Sequence, residues 1–267
     1  MNSIKFKSHL HKNFASARGS VLIVILLAVG LFGTLSYTVA NMLSTDGGTN
    51  TLSKQQAGLY ASEVLQYSSS LRTAVYNLKI SNECENTQIS FEKPPFDNSD
   101  GYRNANSPSD YSCHLFHPEG GGVTAGAPNG NWQDQGEAAA RSGVTGEYLI
   151  TANICIAGVG SGDAADCGTS GNSDSEIILI APWLSEAMCK VINEQIGISE
   201  ETMPTFGTYV QFLANHSEKF VGSFPTTKES AGADALIFGK QSFCAQDTTS
   251  ASVPGGGYHF YATLLAR

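Results

Sequence analysis

Residues 20–43 read SVLIVILLAVGLFGTLSYTVANML, 24 residues without a charged side chain. As a helix rising 1.5 Å per residue, the stretch spans roughly 36 Å. A hydrocarbon core is about 30 Å thick, so the sequence predicts one tilted transmembrane helix. Gly30 and Gly33 are small residues of the kind that lets membrane helices pack closely. Tyr37 falls where the outer interface favours tyrosine. Two other readings use the same residues. A cleaved secretory signal has an apolar core of about 7–15 residues ending in small residues; Thr38-Val39-Ala40 offers such a site, but the run here is longer. A buried helix of a soluble domain is the other, and its N-terminal position speaks against it.

Charge orients the segment. Lys5, Lys7, Lys12 and Arg18 give the first nineteen residues +4 with no acid, while the whole chain carries −9, leaving −13 on the remainder. Lys and Arg are retained on the cytoplasmic flank of a membrane helix. The body is therefore expected outside the cytoplasm, in the periplasm or beyond, with the chain held in the inner (cytoplasmic) membrane and lipid as a partner. An acidic body repels phosphate, so nucleic acid is not an expected partner. A charged fraction of 15% and 28 glycines suit a loop-rich exported domain. The organisation follows: a basic cytoplasmic leader (1–19), the transmembrane helix (20–43), a hinge (44–50) and an extracytoplasmic globular domain (51–267).

The hinge is Ser44-Thr45-Asp46-Gly47-Gly48-Thr49-Asn50, small polar residues around two glycines. Ser53 can cap a second helix after it. From Lys54 to Ile80, Leu59, Val64, Leu65, Leu71, Val75 and Leu78, with Ala57, Ala61 and Ala74 between them, recur at helical spacing on one side. Thr87–Phe91 alternates as a short strand does, and Cys113–Phe116 offers another. Residues 94–146 are rich in Pro, Gly, Asn, Asp and Ser and form a long insert. Glu147–Ile156 and Ser175–Ile180 are β-branched runs of strand length, joined as an antiparallel hairpin through a Gly/Asp/Ser loop. Pro182 suits the first turn of a helix whose apolar face holds Leu184, Met188, Val191, Ile192 and Ile196, with Gly197 ending it. Strands are expected near Thr208–Leu213, Ala235–Phe238 and Tyr258–Leu265. The fold class is α+β: an N-terminal transmembrane helix, then a helix packed on an antiparallel sheet with long loops.

Six cysteines, Cys84, Cys113, Cys155, Cys167, Cys189 and Cys244, all follow the apolar segment. An even number on the exported side implies disulfides, for which six cysteines allow fifteen pairings. The pairing expected first is Cys155–Cys167, closing the hairpin loop. Cys84–Cys113 would pin the insert and Cys189–Cys244 would tie the later helix to the C-terminal strands. Free thiols would fit only a reducing compartment. Cys113-His114-x-x-His117 brings metal donors together but lacks a matching second pair, so no metal is expected.

Chemistry is sparse. Gly158-Val159-Gly160-Ser161-Gly162 is not a nucleophile elbow, and no phosphate-binding loop occurs. His259 sits within an alternating strand, where a structural role is expected. Asp97/Asp100, Asp163/Asp166 and Glu200/Glu201 have no EF-hand spacing and read as solvated loops. Asn215-His216-Ser217 matches a glycosylation triplet and carries no weight. No enzyme and no cofactor is expected, although residues distant in sequence could assemble an anchored hydrolase.

The junction Ala17-Arg18-Gly19-Ser20-Val21-Leu22-Ile23-Val24 resembles the start of type IV pilin-like proteins. In that family a short basic leader ends in Gly, a prepilin peptidase cuts after it, and the new, N-methylated terminus opens a long apolar helix. Here Gly19 matches the leader's last residue and Ser20 would become the first mature residue. The likeness covers about the first 45 residues and extends at most through the helix ending near Ile80, which would be the exported half of the long helix. It departs at Val24, where subunits that polymerise as the major component usually carry Glu. The resemblance therefore implies a minor or tip pilin, or a pseudopilin of a type II secretion-like filament. Its partners would be other pilin-like subunits, the pilus or secretion machinery and the prepilin peptidase. An ordinary signal anchor, or a membrane-anchored periplasmic binding module that never polymerises, remains the alternative.

Overall fold

A computed structural model describes residues 23–34, 54–140, 145–160, 175–198, 202–206, 219–224, 229–231, 234–247 and 257–267. The chain divides into two units, residues 1–51 and 52–267. In the first, α1 covers residues 23–34, and its described side chains are all exposed. No helix among the described residues is long and apolar enough to cross a membrane. The rest of the expected span, residues 20–22 and 35–43, lies outside the described residues, as does the hinge.

The second unit is α+β. Its first helix, α2 (Lys54–Ser81), buries Ala57, Ala61, Val64, Ser68, Leu71, Ala74, Val75 and Leu78. The three- and four-residue steps set these side chains in one stripe. Leu59, counted among the apolar set by its type, departs from that stripe and is 71% exposed. The helix ends where the Cys84 amide donates to the Leu78 carbonyl across six residues, with Glu83 at φ 54° in the left-handed conformation more often given to glycine.

The sheet has six strands: β1 (Leu149–Ile156), β2 (Glu176–Leu184), β3 (Thr205–Phe206), β4 (Glu229–Ala231), β5 (Ser242–Asp247) and β6 (Tyr258–Leu265), in the order β3-β5-β6-β2-β1-β4. The central four, β5-β6-β2-β1, are antiparallel; short β3 and β4 add in parallel at the edges. Every residue of β1 and β2 is buried, which is why these strands read as unbroken apolar runs. Pleating sorts them between two layers. Ile150, Ala152, Ile177, Leu179, Phe260, Ala262 and Leu264 share the core with α2. Leu149, Ile154, Ile178, Ile180, Phe243 and Tyr261 form a second cluster closed by Ala138, Ile198 and Ile237.

Several local expectations are corrected. Pro182 opens no helix: β2 runs through it to Leu184, with a register shift between Ala181 and Leu184 and Trp183 at φ 59°. The helix starts one turn later as α4 (Glu186–Gln195; α3 is the short helix Gln135–Ala140), because the Ser185 hydroxyl accepts the Met188 amide at 3.2 Å. Gly197 follows its end at φ 74°, where a side chain would be strained. Thr87–Phe91 and Cys113–Phe116 are not strands but meet in one parallel bridge, Ser90 to His114. Ala235–Phe238 is turn, and the strand of that region is β5. The expected strand Thr208–Leu213 lies outside the described residues.

Candidate functional site

The insert, residues 94–146, is described but for 141–144 and ends in the short helix α3; before that helix, residues 82–134 have one turn of 3-10 helix and otherwise no repeating structure. Its backbone is instead ordered by its own short polar side chains. Asp97 accepts the amide of Ser99, Asp100 that of Tyr102, Asn104 that of Asn106, Asp110 that of Ser112 and Asn129 that of Asn131. Asp and Asn favour such two-residue closures, and a segment rich in them acquires turns in place of ladders. These hydrogen bonds, first from the Ser99 and Ser112 side chains and then from their amides, hold the Asp97 and Asp110 carboxyls below the usual range. Gly120 lets the chain close on His114, whose carbonyl oxygen would stand 2.1 Å from a Cβ there.

The insert is then fixed to the sheet. Tyr102 is fully buried and its hydroxyl accepts the Ile150 amide of β1 at 2.9 Å. Burial, first, raises the phenol's pKa, so it remains a neutral hydrogen-bonding group. Lys93 and Lys219 lie over the Tyr102 ring at 5.4 and 4.9 Å and both approach Glu147, at 3.7 and 3.9 Å. Lys219 Nζ also donates to the Asp100 carbonyl at 2.8 Å. Asn104 Nδ2 donates to the carbonyls of Thr87 and Ile89, at 2.8 and 2.7 Å. The tyrosine thus supplies a polar end to the β1 edge and an aromatic face to two cations.

At the outer part of the insert four rings gather. Tyr111 stacks on His117 at 4.3 Å between centroids; Phe96 meets His117 at 5.0 Å and Tyr111 at 5.7 Å; His114 lies 4.9 Å from Tyr111 and 6.1 Å from Phe96. Phe96 and Tyr111 hold φ of 62° and 63°. For bulky side chains such backbone costs about 1–3 kcal/mol each, and it persists only where the surroundings enforce it. Glu92 is 2% exposed; its Oε1 accepts the Asn98 amide at 2.8 Å and lies 3.5 Å from Arg103 Nε.

The structure disperses much of what the sequence singled out. Gly19 and Ser20 lie outside the described residues. Gly30 and Gly33 sit in α1, where an added Cβ would meet nothing within 4 Å. Cys84 is joined to Cys113 and Cys189 to Cys244, with Cα–Cα distances of 5.8 and 5.4 Å. Cys155 is also disulfide-bonded; Cys167 lies outside the described residues. Engaged in its disulfide, Cys113 offers no thiolate to a metal beside His114 and His117, and no group of three or more potential metal ligands occurs among the described residues. His259 is buried in β6, and its Nδ1 accepts the Trp183 amide at 3.0 Å. Asp163, Asp166, Glu200, Glu201 and the Asn215 triplet lie outside the described residues. Tyr102, Phe96 and Tyr111 carried no signal in the sequence, since their partners are remote or set by loop geometry.

Comparison of the chain with family models, with curated proteins and with solved structures finds no match.

Proposed function

We propose that this chain is a non-enzymatic, membrane-anchored subunit of pilin-like or pseudopilin-like type, a minor component of a type IV pilus or type II secretion-like filament. Residues 20–43 act as its single membrane helix in the cytoplasmic membrane, and the disulfide-bonded unit stands on the periplasmic or extracellular side. One observation carries the reading: α2, the first described helix after the apolar segment, shares by one stripe a core with the central antiparallel strands of the sheet, to which α4 adds Met188, Cys189 and Ile192. Gly19 at the end of a basic leader supports it, and so do the three features that favour an oxidising compartment: two disulfides, a bonded Cys155 and no described free thiol. On this reading prepilin peptidase releases Ser20 as the new N-terminus, which is then N-methylated. Gly30 and Gly33 let neighbouring anchors approach closely.

Val24 restricts the pilin-like reading to a minor component; the alternative is a membrane-anchored periplasmic binding module that does not polymerise. Mass spectrometry of the mature N-terminus from the native host discriminates. A chain beginning with methylated Ser20, and loss of that processing in Gly19→Asp, are expected. An intact Met1, or a start at Asn41, overturns the pilin-like route.

A further inference from the structure

Of the two histidines in the four-ring cluster, His114 is the buried one, set against the Tyr111 and Phe96 rings at 4.9 and 6.1 Å. Its residue is 6% exposed, and its Nδ1 is buried without a hydrogen-bond partner. With the proton on Nε2, neutral His114 leaves only a lone pair at Nδ1. Protonation puts an N–H and part of a positive charge there, and a buried donor without an acceptor is costly. The charged and titratable groups facing it come from every side of the insert. Arg103 and His117 oppose a second positive charge; Glu92 and Asp110 favour it. Glu92 is already engaged by the Asn98 amide and Arg103, and Asp110 by the Ser112 amide.

We propose that His114 is a proton-operated latch. Neutral, it packs against the Phe96 and Tyr111 rings and holds the cluster closed; protonated, it releases the segment between Lys93 and Gly121 while the sheet stays folded. The strained backbone at Phe96 and Tyr111 supplies the bistable element, because the ring contacts hold conformations those residues otherwise avoid. Two points within the segment stay tethered, Cys113 by its disulfide to Cys84 and Tyr102 by its hydroxyl on the Ile150 amide. Opening would free the half-buried Phe96 ring from its partners and unstack Tyr111, already 36% exposed, so the surface presented would change with the acidity of the compartment.

The sign follows from linkage. Burial, the largest influence, lowers the His114 pKa below its ordinary 6.5. A base depressed in the closed state favours closure above the pKa of the open state, and that preference is lost as pH falls through the depressed value. Hydrogen exchange of the full chain in detergent micelles, corrected for intrinsic rates, tests the latch at pH 7.5 and pH 5. Protection across residues 94–118 is expected to fall by roughly tenfold at the lower pH, with β1, β2 and β6 changed less than about twofold. His114→Phe, which keeps a ring and cannot titrate, should abolish the response; His117→Phe should retain it. Should His114→Phe open the insert at both pH values, NMR titration of His114 in the wild type decides. A midpoint below about 6.5 that coincides with the loss of protection supports the latch. A midpoint at or above that value, a response that survives in His114→Phe, or no response in the wild type overturns it.

Discussion

At the scale of single residues, two polar side chains do work usually left to secondary structure. Arg72 reaches from α2 to the β5–β6 ribbon. Its Nε donates to the Thr263 carbonyl at 2.6 Å, and its terminal nitrogens donate to the Gln241 carbonyl and side chain and to the Ser242 hydroxyl, at 3.1–3.2 Å. A planar fork can serve these acceptors together, and an ammonium cannot. Arg72→Lys should therefore cost about 1–3 kcal/mol although the charge is kept, read as a lower denaturation midpoint with an unchanged slope. Asn193 on α4 plays the part of a strand: its Nδ2 donates to the Cys244 carbonyl and its Oδ1 accepts the Cys244 amide, both at 2.9 Å. Asn193→Asp keeps the shape but sets an acceptor against a carbonyl in a site only 1% exposed. It should destabilise by about 2 kcal/mol or more at pH 7. The buried carboxyl's pKa would be raised, so the loss is present above that pKa and recovers as pH falls through it. A pH series of denaturation midpoints showing no recovery under acid would refute the assignment.

At the scale of elements, α2 shows what a pattern can and cannot specify. Its stripe of small and branched residues is evident from spacing alone, since the 3.6-residue period is a property of the backbone. Which apolar residues fall outside the stripe depends on the roll of the helix on the sheet, and there Leu59 differs from Leu71: 71% against 0% exposed. Leu71→Ala should cost about 2–5 kcal/mol, the transfer of a buried side chain plus its cavity. Leu59→Ala should stay within about 0.5 kcal/mol. Comparable losses at the two positions, measured by chemical denaturation, would contradict this packing. Gly58 on the same helix has room: the nearest atom to an added Cβ is Gln195 Nε2 at 3.9 Å. Gly58→Ala should raise stability by about 0.5–1 kcal/mol through helix propensity and a less disordered unfolded chain. The start of α4 was less legible than α2. Pro182 fits a first helical turn and equally a strand bulge, and only the tertiary pairing of β2 with β6 selects the second; the Ser185 cap was the better signal.

At the scale of the whole molecule, the α+β class and the places of β1, β2 and β6 along the chain were readable because these strands are buried on both faces and leave long apolar runs, whereas β5 and the strand order of the sheet were not. The insert was readable only as composition. Its Asx turns follow from its Asp and Asn content, but its attachment to β1 through Tyr102, and the ring cluster around His114, join residues whose sequence separation hides them. Disulfides bridge these two kinds of information. Cys84–Cys113 and Cys189–Cys244 close loops with sequence separations of 29 and 55, which by chain entropy contribute about 4 kcal/mol each. Loop length thus hardly separates them, and position must. Cys189 and Cys244 join α4 to β5, with Met203 Sδ 3.7 Å from Cys189 Sγ. Cys84 and Cys113 join the end of α2 to the insert. Cys189→Ala with Cys244→Ala should lower the main thermal transition by roughly 8–16 °C, the chain-entropy loss divided by the unfolding entropy of a unit this size. Cys84→Ala with Cys113→Ala should shift that transition by less than half as much, and should instead remove exchange protection from residues 94–118 while β1, β2 and β6 remain protected. If the two double variants lowered one shared transition equally and left the insert protected, the insert would be an integral part of the cooperative core. A mobile segment hinged on its disulfide, which the His114 latch requires, would then be ruled out.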